Sequence, residues 1–235
     1  MTHLFDLAEE TLGISFSPQS RERFNKYCEV LLETNKVMNL TAITEPEQVY
    51  LKHFIDSVAV LTADDLKNKK IIDVGCGAGF PGLPIKISEP SVSLTLLDSL
   101  GKRISFLSSL IDELGLKDVR CMHARAEEEA LKPEMREQFD FAVSRAVASL
   151  PMLCELCLPF VKVGGSFIAM KAQGYEEELE QAKSAIEILG AQVSKIKKYL
   201  LPGSDINHVL IIIKKVSATP ANYPRRFAKI QKKPL

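Results

Sequence analysis

The chain has no tryptophan, no net charge and no long apolar run. Its 235 residues carry 30 basic and 30 acidic side chains. The total charge therefore says nothing about partners; only its distribution does. The longest apolar runs are far too short to span a bilayer. Five cysteines, an odd and scattered set, make no disulfide framework, and no apolar segment behind a basic start opens the sequence. Both features argue against secretion. The expectation is a reduced, soluble, cytoplasmic protein without internal repeats or low-complexity segments. What is present, 46% hydrophobic residues, suffices for one sizeable core.

Residues 1 to about 66 read as helical. Ser17-Pro18 is a helix start, with Ser as cap and Pro at the first helical position. Phe24, Tyr27, Val30, Leu31 and Val37 then recur at helical spacing and predict one apolar face. After a break at Asn39-Leu40-Thr41, a second start is expected with Thr44 as cap and Glu47 three residues on. That helix carries Val49, Leu51, Phe54, Ile55, Val58 and Leu61, together with His53, Asp56 and Ser57. A polar linker, 64–70, follows.

From residue 70 the pattern alternates between strands and helices. Strands are predicted at 70–74, 92–97, 118–122, 139–144 and 165–170, with helices at about 102–114 and 175–189. Alternation of this kind implies a parallel sheet covered on both sides. The end differs. Ala191–Leu200 and His208–Lys215 both read as strands and are joined only by LPGSDIN, which is too short for a parallel crossover and must be a hairpin. The tail after Val216 holds Arg225, Arg226, Lys229, Lys232 and Lys233 and no acid. The division is thus a helical extension over 1–66, a core over 67–216 and a basic tail over 217–235.

At the centre lies IIDVGCGAGFPGLP, residues 71–84. It reads as a buried strand, a tight turn and a helix start. The glycines let a ligand approach the backbone, and a helix start offers free N–H groups. Gly77, Gly79 and Gly82 match the dinucleotide fingerprint G-x-G-x-x-G, a weak signal alone. Asp73 followed by Gly75, Gly77 and Gly79 resembles instead the first motif of Rossmann-like S-adenosylmethionine methyltransferases, as does the closing antiparallel pair. Asp98, ending LTLLD, can accept hydrogen bonds from ribose hydroxyls in either cofactor class; the alternative is a helix cap. Arg125-Ala126-Glu127 is either an adenine-reading segment or an ordinary helix start. The fourth strand ends Ser144-Arg145-Ala146, without the D/N-P-P-Y/F run of methyltransferases that act on exocyclic amines. Arg145 can hold a carboxylate, a phosphate or a guanine edge.

Asn35 to Ile43 (NKVMNLTAI), Lys52 to Ser57 (KHFIDS), Asp73 to Pro84, Asp98-Ser99, Lys102-Arg103, Phe106-Leu107, Arg125-Ala126-Glu127 and Ser144-Arg145-Ala146 together resemble the bacterial small-subunit rRNA guanine-N7 methyltransferases. This family was once called glucose-inhibited division protein B. The resemblance covers essentially the whole chain. It implies a Rossmann-like fold with a mostly parallel seven-stranded sheet, S-adenosylmethionine as cofactor, and 16S rRNA or the 30S particle as partner. The implied target is N7 of one guanine in the 530 loop, position 527. Implied cofactor contacts are Gly75, Phe80, Asp98, Ser99, Leu100, Ala126, Glu127 and Arg145. His53, Asp56 and Arg145 are the candidates for positioning the substrate. Lys171 lies in a local departure, Lys171-Ala172-Gln173-Gly174, where the family more often runs directly from Lys to Gly.

Guanine N7 is already a lone-pair acceptor, so attack on a sulfonium methyl needs no general base, only in-line positioning and electrostatics. Asp56 is a candidate to stabilise the cationic product. His53 either meets the guanine or simply bonds Asp56 three residues on. Cys154 and Cys157 form a single C-x-x-C on an apolar run and read as buried helix residues, not as a metal site. Lys102, Arg103, Lys171, Arg225 and Arg226 are the RNA-binding candidates, with Lys195, Lys197 and Lys198 upstream and Tyr223 and Phe227 as stacking residues. A monomer without membrane or metal partners is expected. The alternatives are a small-molecule methyltransferase on the same fold and a non-catalytic nucleotide- or RNA-binding protein.

Overall fold

The computed structural model describes residues 2–235. Seven strands form one sheet in the order β3-β2-β1-β4-β5-β7-β6. β1 (Lys70–Val74), β2 (Ser93–Asp98), β3 (Val119–His123), β4 (Phe139–Arg145) and β5 (Val161–Lys171) are parallel. β7 (Asn207–Lys215) runs antiparallel between β5 and the edge strand β6 (Ala191–Leu200). The expected closing hairpin is therefore present. Strand order reverses between β1 and β4, and the loops leaving their carboxyl ends diverge there. An open sheet has its ligand crevice at such a point.

Side chains alternate across the sheet and divide the core in two. Ile71, Leu96, Val143, Ile168 and Ile212 face one layer, while Ile72, Leu97, Ala142, Phe167 and Ile211 face the other. The first layer holds α1 (Thr2–Leu12), α2 (Pro18–Met38), and a helical run that begins as α3 (Pro46–Val49). That run widens into a π-helical turn at Tyr50–Ile55, recovers as α4 (Asp56–Val58) and tightens to 3-10 geometry at Ala59–Thr62. α5 (Gly82–Ser88) and α6 (Gly101–Glu113) complete this side, with Leu107, Leu110, Ile111 and Leu114 buried as their spacing predicts. The second layer holds α7 (Ala126–Glu129), α8 (Leu150–Cys157), α9 (Tyr175–Ile188) and α10 (Phe227–Lys232). No helix among the described residues is long and apolar enough to cross a membrane.

Three local expectations are corrected. The cap of α3 is Glu45, not Thr44, and it makes no side-chain cap bond. Pro46 takes the first helical position because its φ is preset and it has no N–H to satisfy, which moves the cap to the residue before it. Val37 is 81% exposed; in the last turns of α2 it is Leu32 and Met38 that pack against the core. β5 starts at Val161, four residues earlier than expected, and a bulge opposite Phe139 and Phe141 absorbs the extra length. The Ser17 cap holds as read: its hydroxyl accepts the Ser20 N–H at 3.1 Å.

β1 carries one acid into the core. Asp73 is fully buried, and its Oδ2 accepts the Gly82 N–H at 2.7 Å while Oδ1 has no protein partner. Burial raises the carboxyl to about 7 from an ordinary 3.8. Between those values the native state keeps a proton that the unfolded chain has released, so stability is lost as pH rises through about 7. Asp73→Asn cannot ionise and should flatten this slope. Urea denaturation at pH 5 and pH 8 should show the wild type losing more than the variant, by up to about 1.4 kcal/mol per pH unit within the window. Parallel profiles would assign the slope to other groups.

Candidate cofactor and substrate site

The loop after β1 is folded over its own strand and the next. Gly75 and Cys76 both donate to the Leu97 carbonyl, at 2.8 and 3.1 Å. Two of its glycines are required by what lies underneath. A Cβ at Gly79, where φ is +103°, would meet Tyr27 Oη at 2.6 Å, and one at Gly82 would meet Asp73 Oδ2 at 2.8 Å. Gly77 has nothing within 4 Å of that position and faces a cavity of about 540 Å³. The helix beyond the loop is only seven residues long. Its first N–H groups are taken by Asp73 and by the Gly79 carbonyl, so it offers no free helix end to a ligand, contrary to the expectation.

Asp98 closes the cavity floor. It is 4% exposed. Its Oδ2 accepts the Gly77 N–H at 2.9 Å and Arg103 at 3.3 Å, and its Oδ1 accepts the Leu100 N–H at 2.9 Å. A carboxylate offers about four acceptor directions, so capacity for a further donor remains on the cavity side. Asp98 thus binds the glycine loop to β2 and does not act as a simple cap of α6. Ser99, Ala126 and Glu127 also line the cavity. Leu100 does not, and its side chain is exposed.

The helical extension reaches this loop through a stack of three rings. Phe80 lies between Tyr27 (centroids 5.5 Å apart, planes 10°) and His53 (4.5 Å, 20°). The Arg145 guanidinium sits 5.0 Å from the Phe80 centroid, within cation–π range. Tyr27 donates to the Ala78 carbonyl at 2.5 Å. His53 Nε2 lies 2.7 Å from Thr41 Oγ1, and its Nδ1 lies 3.2 Å from Arg145 Nη2. A guanidinium only donates, so Nδ1 accepts and Nε2 carries the proton. Burial, aided by the Arg145 charge, lowers the imidazole to about 4. His53 is therefore neutral near pH 7.

Arg145 is itself held from behind. It donates to the Lys52 carbonyl at 2.9 Å and to Asp56 Oδ2 at 2.8 Å. Asp56 Oδ1 also receives Tyr199 Oη and His208 Nδ1, each at 2.7 Å. Burial alone would raise the Asp56 carboxyl, but the His208 bond and the Arg145 charge outweigh it and hold it below its ordinary value. Asp56 is 2% exposed and does not line the cavity. The expectation that it meets a cationic product directly is thereby corrected, as is the His53–Asp56 hydrogen bond: Arg145 stands between them. Tyr199 and His208 were not anticipated. They are cross-strand partners in the terminal hairpin, 143 and 152 residues from Asp56, and no local pattern marks them.

The basic candidates separate into two groups. Lys102 and Arg226 are exposed, and Arg103 is turned to Asp98. Lys171 is drawn inward, donating to the Ala148 carbonyl at 2.9 Å and to Glu178 at 2.7 Å. Arg225 forks onto the fully buried Glu155, with Nη2 to Oε2 at 2.6 Å. Both are corrected from free surface cations to ion-pair partners: Arg225 neutralises a carboxylate buried in the core, and Lys171 bridges the Ala148 carbonyl and the partly exposed Glu178, which also accepts the Leu150 N–H. Lys197 donates to the Thr62 carbonyl at 3.0 Å. Phe227, expected at an RNA surface, lines the cavity instead. Cys154 and Cys157 are fully buried in α8, and burial pushes both thiols upward. Cys76, within the loop, is likewise buried with its thiol raised. Among the described residues no cluster of three His, Cys, Asp or Glu side chains could hold a metal ion.

Comparison with known proteins points one way. The family model described as rRNA small subunit methyltransferase G matches residues 20–207. A protein of that name from Acetivibrio thermocellus is 51% identical over 223 residues, covering 95% of this chain and 92% of its own length. Its namesake from Clostridium perfringens is 47% identical over 235 residues, covering 98% of each. Among solved structures, M. jannaschii TYW2 in complex with AdoMet aligns with a TM-score of 0.50 at 16% identity, covering 64% of this chain and 70% of that one. At that identity the last likeness concerns the fold alone.

The ring stack makes a direct prediction. Tyr27→Phe keeps the stacking face but leaves the buried Ala78 carbonyl without its donor, a loss of about 1–3 kcal/mol. Urea denaturation should report that loss, and cofactor affinity should fall with it because Ala78 lies in the loop. An unchanged midpoint and affinity would show that the stack alone holds the loop.

Proposed function

The chain belongs to the rRNA small subunit methyltransferase G family, and from that premise we propose that it methylates N7 of a guanine in 16S rRNA, position 527 in the 530 loop. Bound S-adenosylmethionine supplies the activated methyl carbon. The cavity suits such a cofactor in size, in the bare backbone at Gly77, and in the spare acceptor capacity of Asp98. Asp98 takes the ribose hydroxyls, the Ala126-Glu127 backbone reads the adenine edge, and Phe80 walls the sulfonium end.

The observation that carries the reading is the state of the titratable groups at the mouth. His53 is held neutral with Nδ1 already accepting from Arg145. Asp56 is buried away from the cavity and bound by three side-chain donors, and Cys76 is a buried thiol raised well above its ordinary value. None of these three side chains is free to remove a proton from an acceptor. Guanine N7 needs none removed, since its lone pair is the nucleophile. β4 ends in Ser144-Arg145-Ala146, with Ser144 Oγ donating inward to the Val74 carbonyl at 2.9 Å. The site therefore works by orientation and fixed charge. Arg145 orients the reacting pair, His53 fixes its angle, and Asp56 acts only through Arg145. Exposed Lys102 and Arg226 are the RNA-facing cations of this reading.

Labelled methyl from S-adenosylmethionine should appear in 16S rRNA, or 30S particles, from cells that lack the modification. Nuclease digestion should return it as 7-methylguanine from the 530 loop. Label on an exocyclic amine, or only in the small-molecule fraction, would overturn the proposal.

The pH profile is a separate test. With His53 unprotonated above about pH 5, single-turnover transfer at saturating cofactor and RNA should be flat from about pH 6 to 8. A limb near pH 6.5 that vanishes in His53→Asn would instead make His53 the base.

A further inference from the structure

The family model ends at residue 207, leaving the tail outside the matched region. The structure gives that tail fixed positions. Val216 and Ser217 both donate to the Gly190 carbonyl, at 2.8 and 3.0 Å. Arg136 then gathers three tail carbonyls, those of Thr219 (2.7 Å), Tyr223 (2.8 Å) and Pro220 (3.1 Å). Farther on, Glu155 Oε1 accepts both the backbone N–H and Nε of Arg225 at 2.8 Å, and Oε2 accepts Nη2 at 2.6 Å. Glu155 is fully buried in α8. A carboxylate there is tolerated only with its cation in place, so Arg225 pins the strap. Ile230, one turn beyond, is fully buried in the second core layer. Between the two anchors Phe227 lines the cavity, as do Arg125, Ala126 and Leu156. Lys229 and Lys232 on the same short helix remain exposed.

We propose that residues 216–235 form a strap that completes the cofactor pocket, with Phe227 as a binding residue against the adenine of S-adenosylmethionine. This rests on the reading of Ala126-Glu127 as the adenine end. The strap is pinned by an internal ion pair, and of its two aromatics, Tyr223 and Phe227, the second goes to the cavity. It is therefore a pocket wall first, and any RNA contact belongs to its outer lysines. An aromatic face beside a base supplies sequence-tolerant stacking of a size that matters for affinity.

The test is calorimetry on the full chain with S-adenosylmethionine, S-adenosylhomocysteine and adenosine, for the wild type and for Phe227→Ala, Phe227→Leu and Phe227→Tyr. Phe227→Ala should weaken all three ligands by a common factor of roughly tenfold, because the contact is to the part they share. Phe227→Tyr should stay within about twofold of the wild type. Affinity for a 530-loop RNA at saturating cofactor should not move. If Phe227→Ala binds cofactor like the wild type while RNA affinity falls, the strap is an RNA arm and the proposal is overturned. Wild-type affinity for every ligand would likewise overturn it. Should Phe227→Ala melt below the assay temperature, Phe227→Leu and Phe227→Tyr, which keep the packing volume, decide the matter: a loss in Leu with retention in Tyr supports stacking, and equal affinity refutes it. A wild type that binds cofactor but methylates no 16S rRNA would sink the proposed substrate and leave the strap standing. A wild type that binds no S-adenosylmethionine would sink both.

Discussion

Phe80 has to sit on top of a glycine loop, and a glycine loop left to itself has many conformations. What removes that freedom is the pair of rings on either side, Tyr27 from α2 and His53 from the π-helical turn. Both come from the helical extension and neither from the sheet. The π turn contributes to the geometry. A widened turn at Tyr50–Ile55 inserts a residue relative to α-helical phase, and within it Tyr50, Leu51, Phe54 and Ile55 face the core while His53 lies at the cavity. The extension is therefore a part of the binding loop contributed from elsewhere in the chain. Removing it would take away Tyr27 Oη, which now covers Gly79 together with Leu83 and Leu107 of the core.

Charge at the site is organised along a line that crosses the sheet. Tyr199 and His208 on the terminal hairpin fix Asp56, Asp56 fixes Arg145, and Arg145 fixes the tautomer of His53. Each link satisfies a group that would be costly to bury alone. Only the last two members reach the cavity. A chain of this kind holds a guanidinium at a set angle without a rotamer search. The antiparallel hairpin thus ends the sheet and also supplies both donors to Asp56 Oδ1.

The core was readable in the sequence because its signals are periodic or chemically narrow. Strand alternation, the short link between β6 and β7, and the Asp73–glycine–Asp98 spacing each depend on neighbours within about 25 residues. Those elements appear within a few residues of where they were expected. Residues whose role depends on distant partners were not readable. Arg225 and Lys171 look like surface cations until Glu155 and Glu178 are placed beside them. Tyr199 and His208 look like ordinary strand residues until Asp56 arrives from the other end of the chain. A basic run without acids has the composition of a nucleic-acid arm, and composition cannot report that Arg225 has an internal carboxylate waiting for it. The errors thus fall on residues whose pairing is set by topology.

The two ends of the chain close the same crevice from opposite faces. The N-terminal helices pack on one layer of the sheet and clamp the loop; the C-terminal strap packs on the other and walls the cavity with Phe227. A strap held by a buried ion pair does not fray one residue at a time. Lifting Arg225 would leave Glu155 charged and unpaired in the core, at a cost of about 3–5 kcal/mol, before Phe227 had moved. Small fluctuations of the tail are thereby suppressed, and the pocket wall either stands or comes away as a unit with Ile230. The core sheet supplies a nucleotide site that many reactions could use. What specialises it here is that both additions end in aromatic rings set against that one site.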